Sequence, residues 1–267
     1  MPSGRRASVD LNRWGNPKME VCGGKQYYGE AIGILLFDDR RYPTLPGDVA
    51  NASTYDFPVR LKVVKGVVDV PPPTQPGPFE SYPHDVQQLV RAVEELNEEG
   101  VRAVVTACGF FSGVQGVLAQ ASKVPVFTSA LMLVPIITQM IGAMRKLGVL
   151  TASKSLLTDD FLTSVGITSG HNIVIAGADA STEFYATHMG GKRITMDVEL
   201  LRKELVDVVR DFHAEHPDLG ALLVECSNFP TFSVDFQRAT GLPVFDYIAF
   251  IELMYRSVVQ RPYQGFL

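Results

Sequence analysis

The residues around two of the chain's three cysteines repeat in register, and that repeat restricts the fold more than any other feature. Cys108 is followed by Phe111, Ala121 and the triplet Pro125-Val126-Phe127; Cys226 is followed by Phe229, Ala239 and Pro243-Val244-Phe245. The offsets are the same in both segments, +3, +13 and +17 to +19, and an apolar run ends just before each sulfur. A shared alanine or valine arises easily by chance. A shared cysteine, phenylalanine and Pro-Val-Phe in one register marks an internal duplication, with copies 226 − 108 = 118 residues apart. A chain of 267 residues has room for two such halves, each with its own core.

Between and around these segments, short apolar runs alternate with amphipathic stretches. "AIGILLF" (Ala31–Phe37), "VRLKVVKG", "VRAVVTAC", "VPVFTS", "LGVLTAS", "NIVIAGA", "GALLVECS" and "LPVFDY" read as strands. Helices are expected over His84–Glu99, Val114–Ala121, Leu131–Arg145, Thr158–Val165, Val198–Glu215 and Val234–Thr240, with a last one at the C-terminal end. Strand–helix alternation with short links implies parallel sheets covered on both faces. The expected fold is therefore α/β: two similar flavodoxin-like or Rossmann-like halves with parallel sheets, related by a pseudo-twofold axis, and an active site in the cleft between them. Residues 1–27 read as an irregular extension. Residues 28–128 plus 245–267 read as the first domain and 129–244 as the second. Five prolines within residues 71–78 place a loop there, read as surface packing with a lid or binding loop as the alternative.

Composition removes several classes of function. A net charge of −5 and only two arginine doublets, Arg5-Arg6 and Arg40-Arg41, argue against a nucleic-acid surface. No apolar run is long enough for a membrane span, and the start lacks the apolar core of a secretory signal. Three cysteines, Cys22, Cys108 and Cys226, form no disulfide framework, so a reducing cytoplasm is the expected location. Cys22 has no counterpart in the repeat and reads as inert. The apolar stripe "LMLVPIITQMIGAM" reads as a buried helix that also suits an interface, so a homo-oligomer, dimer or tetramer, is expected.

The duplication has a chemical meaning. In open α/β sheets the carboxyl ends of the strands form the ligand crevice. Two facing halves would aim both thiols into one cleft, each near a helix N-terminus that favours a thiolate or holds a substrate carboxylate. One thiolate can then take the proton from a carbon beside a carboxylate while the facing thiol returns one to the other face. That is cofactor-independent racemisation, in which preorganised donors must stabilise the enediolate. Asp38 and Asp39 end the first strand, and Arg40, Arg41 and Tyr42 follow where a carboxylate can be gripped. Thr151 and Ser153 follow the strand "LGVL". Gly109, Phe110 and Ser112 adjoin the first thiol, and Ser227 and Asn228 the second; all are candidates for substrate contact. Glu225 precedes Cys226 on a strand, where side chains alternate, so it is expected to point away and is not assigned as the base. His213 and His216 lack further ligands and read as a solvated helix end, and "MGGKRIT" lacks the spacing of a phosphate-binding loop.

At these residues the chain resembles the aspartate/glutamate racemase superfamily, which includes hydantoin racemases, maleate isomerases and arylmalonate decarboxylases. The resemblance covers most of residues 30–260 and rests on the two cysteine segments, on "GVLTAS" (Gly148–Ser153) and on "LFDDRRYPTLPGDVANASTYDFPV" (Leu36–Val59). It implies two α/β domains with the site between them, no metal or organic cofactor, and Cys108 and Cys226 as the catalytic pair. Glutamate racemases read Cys-Asn-Thr where this chain has Cys108-Gly109-Phe110, and Cys-Thr-His where it has Cys226-Ser227-Asn228. Their Asp-Ser-Gly is replaced by Asp38-Asp39-Arg40. The "PGDV…FPV" and "ECSNFP" stretches are similar to the branch holding the algal dimethylsulfoniopropionate lyases. The expected function is a racemase or epimerase acting beside the carboxylate of an amino acid or related small acid. The alternatives are β-elimination, decarboxylation or cis-trans isomerisation on a small carboxylate with one dominant cysteine, and a carboxylate-binding protein without catalysis.

Overall fold

A computed structural model describes residues 23–25, 28–39, 42–68, 83–190 and 193–263. Arg40, Arg41, Cys22, the proline-rich loop and nearly all of the expected N-terminal extension lie outside these residues. The described strands are β1 (Ile32–Phe37), β2 (Val59–Val64), β3 (Ala103–Thr106), β4 (Val126–Phe127), β5 (Lys146–Thr151), β6 (Ile173–Gly177), β7 (Leu219–Val224) and β8 (Val244–Phe245). The helices are α1 (Pro83–Glu99), α2 (Gln115–Ala121), α3 (Val134–Ile141), α4 (Asp159–Ser164), α5 (Thr182–Phe184), α6 (Val198–Glu215), α7 (Ser233–Thr240) and α8 (Tyr247–Val258).

The strands form two four-stranded sheets with the orders β2-β1-β3-β4 and β6-β5-β7-β8, parallel at every pairing. The second order is the first repeated, strand for strand, so the duplication seen around the cysteines extends to whole half-molecules. In each sheet the chain builds outward in one direction from the first strand and then in the other. The reversal falls between β1 and β3 in one half and between β5 and β7 in the other, where an open sheet leaves a crevice. Cys108 follows β3 and Cys226 follows β7.

Burial explains the choice of strand residues. β3 ("AVVT") and β7 ("LGALLV") are buried along their whole length, as central parallel strands must be, and they are continuous apolar or small runs. The edge strand β2 carries Arg60 and Lys62. These are paired with Glu99 of α1 at 2.7 and 3.0 Å, which keeps the edge charged and closed to further strand pairing. The long apolar helix expected over Leu131–Arg145 is shorter. A 3₁₀ turn over Ala130–Leu133 leads into α3, and Gly142, at φ +79°, ends it. The last helix crosses back to the first sheet: Phe250 packs on Phe127 at 3.7 Å between ring centroids, and Tyr255 stacks on Phe57 at 3.7 Å. No helix among the described residues is long and apolar enough to cross a membrane.

Candidate active site

The carboxyl ends of β1, β3, β5 and β7 converge on one cleft of about 730 Å³, counted out to its open mouth. Phe37 and Asp39 come from β1, Ala107, Cys108, Gly109 and Phe110 from β3, and Ala152 and Leu156 from β5. Glu225, Cys226, Ser227 and Asn228 come from β7. Both repeat cysteines therefore stand on one wall system, one from each half. Cys108 occupies the N-cap position of a 3₁₀ helix over Gly109–Val114 without a side-chain capping bond, and the first backbone N–H groups of that helix have no partner within it. Cys226 is 6% exposed.

The halves are joined at the cysteines themselves. Ser227 donates to the carbonyl of Ala107 at 2.8 Å, so the residue after the second sulfur is tied to the residue before the first. The loop between β1 and β2 is clamped onto the β7 side. Val49 N–H donates to Ser227 O at 3.3 Å, Thr231 donates to Pro46 O at 2.9 Å, and Asn228 donates through Nδ2 to Asp48 Oδ2 at 2.7 Å.

Glu225 borders this cleft, with its carboxyl turned in toward Thr151 and Gly109. It is fully buried. Its Oε2 accepts from the Thr151 hydroxyl at 2.8 Å, and its Oε1 has no hydrogen-bond partner among the described residues. Burial pushes its pKa up to about 7. Burial likewise pushes the Cys226 thiol well above the ordinary range, and the adjacent Glu225 charge adds to it. Asp48 is raised to about 6 by burial, against the opposing hydrogen bonds from Asn228 and Ala50. Burial and Asp48 also raise the Tyr42 phenol, which is therefore neutral.

Aromatic rings form part of the wall. Tyr42 lies on His188 at 4.0 Å and His188 on Phe184 at 4.7 Å, a continuous stack that lines the cleft with Phe37 and Phe110. His188 belongs to a π-helical turn over Tyr185–Met189 and its Nδ1 is 2.7 Å from the Thr187 hydroxyl. Among the described residues, no lysine or arginine lines the cleft.

Of the residues singled out from sequence, Cys108, Cys226, Asp39, Tyr42, Gly109, Phe110, Ser227 and Asn228 line the cleft. Asp38 instead turns outward, accepting from Gly66 N–H at 3.3 Å and pairing with Lys65 at 3.5 Å. Thr151 sits behind the wall as the donor to Glu225. Ser153 donates to Asp179 at 2.5 Å, and Ser112 is buried with its carbonyl accepting from Ser164. Sequence reasoning missed Glu225, Asp48, Phe184 and His188. One signal for Glu225 was available: a Cβ on residue 109 would lie 1.7 Å from Glu225 Oε1, so glycine in place of the racemase asparagine makes room for that carboxyl.

No family model matches the chain. Among solved structures, arylmalonate decarboxylase superposes with a TM-score of 0.53 at 15% identity, over 87% of this chain and 94% of that one. Allantoin racemase from Klebsiella pneumoniae gives 0.53 at 18%, over 85% and 86%. Glutamate racemase RacE1 from Bacillus anthracis gives 0.54 at 13%, over 85% and 82%. These likenesses establish the fold. Among curated proteins, dimethylsulfoniopropionate lyase of Durusdinium sp. clade D is 30% identical over 88% of this chain and 77% of its own length. Dimethylsulfoniopropionate lyase 3 of Emiliania huxleyi (strain CCMP1516) is 28% identical over 88% of this chain and 61% of its own. With its duplicated sheets, its two cleft thiols and this relationship along most of its length, the chain belongs to the dimethylsulfoniopropionate lyase family.

Proposed function

We propose that the chain is a lyase that removes the proton beside a carboxylate with Cys226 and expels a sulfonium group from the neighbouring carbon. The observation that carries this reading is the character of the cleft wall. The aromatic faces of Phe37, Tyr42, Phe110 and Phe184 and the acidic Asp39 and Glu225 stand around the thiols, a setting that favours a substrate with its own positive charge. A sulfonium has no N–H to donate, so ring faces suit it better than hydrogen-bond acceptors.

The steps balance without a further reactant. The Cys226 thiol gives its proton to solvent, and the thiolate takes the proton from the carbon beside the carboxylate. That electron pair forms the carbon–carbon double bond while the carbon–sulfur bond breaks toward sulfur. From dimethylsulfoniopropionate the products are acrylate, dimethyl sulfide and one proton. A thiol with a raised pKa makes a stronger base once ionised, which helps against so weak a carbon acid. The backbone N–H groups opening the 3₁₀ helix at Gly109 and Phe110 suit the enediolate charge.

The test is direct. Purified protein given dimethylsulfoniopropionate should release dimethyl sulfide and acrylate in equal amounts. Cys226→Ser should cut the rate by ~10²–10⁴, the usual range for losing a proton-transfer group, and Cys108→Ser by less. A second reading is favoured by one observation: a thiol from each half lines the cleft. A racemase of small amino acids would exchange the α-proton for deuterium in heavy water and lose inversion equally with either cysteine. Such exchange with no elimination would overturn the lyase reading.

A further inference from the structure

Asp48 lies outside both cysteine segments. It stands on the loop after β1, in the first half of the chain, and is 3% exposed, yet its carboxylate reaches the second thiol's loop. Its Oδ1 accepts from Ala50 N–H at 2.7 Å and its Oδ2 from Asn228 Nδ2 at 2.7 Å. An ionised carboxylate only accepts, so the amide nitrogen of Asn228 must face Asp48 and the amide oxygen must face away. That oxygen lies 3.6 Å from Cys226 Sγ, where the S–H donates to it.

Turned the other way, the amide would offer an N–H to a thiolate. Held as it is, it presents a carbonyl dipole that a thiolate repels. We propose that Asp48 is a positioning residue: by locking the Asn228 amide it keeps the proton on Cys226 until a positively charged group enters the cleft. The proposal rests on the reading of Cys226 as the base. Groups on every side bear on this sulfur's ionisation: Glu225 beside it on β7, Cys108 from the β3 side and Asp48 from the β1–β2 loop raise it, the Asn228 backbone N–H that donates to it lowers it, and Asp39, Tyr42 and His188 stand along the same wall. Negative charge on Glu225, Cys108 and Asp48 raises the thiol further, so an entering cation reverses the dominant field. An idle thiolate is open to alkylation and oxidation; one formed only beside a cation is protected.

The experiment measures the thiol itself, independently of turnover. On the full-length protein, iodoacetamide labelling of the Cys226 peptide is followed against pH. Asp48→Asn keeps an acceptor for Ala50 N–H but frees the Asn228 amide to turn. The labelling midpoint should fall by about one pH unit or more, a tenfold gain in thiolate at fixed pH. In an Asn228→Ala background the same change should move the midpoint by less than half as much. A full shift in that background would mean that Asp48 acts by charge alone, and it would overturn the positioning role; so would no shift in either background. Should Asp48→Asn fail to fold, Asn228→Ala alone must still lower the midpoint, and an unchanged midpoint counts against the proposal. Thiolate absorbance of the unaltered protein should rise on adding the trimethylammonium analogue of the substrate, which has no sulfonium to lose. No rise overturns the dependence on a cation. If instead Cys226→Ser retains elimination while the labelling shifts stand, the assignment of the base is at fault and the Asp48 contact is not.

Discussion

Gly109 and Glu225, 116 positions apart, contend for the same space. With a methyl group on residue 109 within 1.7 Å of Glu225 Oε1 and 2.8 Å of its carbonyl oxygen, neither the carboxyl nor the backbone can stay where it is. Gly109→Ala should therefore cost ~1–3 kcal/mol, read as a lower midpoint in urea, and Glu225→Ala in the same chain should recover part of the loss. Glu225→Gln isolates the charge. The folded-state pKa of about 7 lies above that of an unfolded glutamate, so the carboxyl favours the folded state fully below pH ~4.3 and loses that contribution as pH rises through about 7. The glutamine variant keeps an acceptor for the Thr151 hydroxyl. It should be more stable than the parent at pH 8 by on the order of 3 kcal/mol and no more stable near pH 4, checked by urea unfolding at both values. The elevated Cys226 thiol makes a kinetic counterpart: kcat/KM should climb with pH through the alkaline range rather than peak near neutrality.

At the scale of elements, the site depends on a loop and a turn more than on any helix. The β1–β2 loop bends at Gly47, whose φ is +100° and whose missing Cβ would fall 2.5 Å from the Cα of Thr231. This close approach lets Pro46, Asp48 and Val49 reach the β7 loop. Gly47→Ala should both strain the backbone and push the loops apart. The expected result is a loss of ~1–3 kcal/mol together with a lower pH midpoint for labelling of Cys226, because Asn228 loses its registration with Asp48. The π-helical turn Tyr185–Met189 plays the matching part on the other side, setting His188 between Tyr42 and Phe184. On the lyase reading Tyr42→Leu should raise KM for a sulfonium substrate by roughly fivefold or more, a ring-face contact being worth on the order of 1–2 kcal/mol when desolvated. An unchanged KM would place the cation elsewhere.

Across the whole molecule, the two halves are held by contacts that converge on the thiols and by a helix that crosses over. Tyr247, at the start of α8, donates to Thr128 O at 2.6 Å and lies 3.2 Å from the Thr106 hydroxyl, under the first sheet's cysteine loop. It is fully buried. Tyr247→Phe keeps the ring and removes only the hydroxyl, which leaves the Thr128 carbonyl without this donor. A loss of about 1–3 kcal/mol is expected in thermal or urea unfolding, with Cys108 more exposed to labelling.

The duplication, the strand–helix alternation and the two cysteines were legible because each is a local pattern. Apolar runs, turn residues and a repeated register survive in one dimension, and each strand must be apolar to be covered on both faces. α6 was readable over its full span, Val198–Glu215, for the same reason. Which polar residues meet was not legible, because it depends on contacts between positions far apart in the chain. Asp48 and Asn228 are separated by 180 positions, and Thr151 and Glu225 by 74. Residue alternation along β7 says only that Glu225 and Cys226 leave on different sides; that both border the cleft is visible only in the folded chain. The chain's order of residues thus determined two copies of one α/β half, each ending a strand in a thiol. The packing of those halves decided which thiol is buried and which carboxyls lose their water, since desolvation and hydrogen-bond geometry exist only once distant segments are in contact.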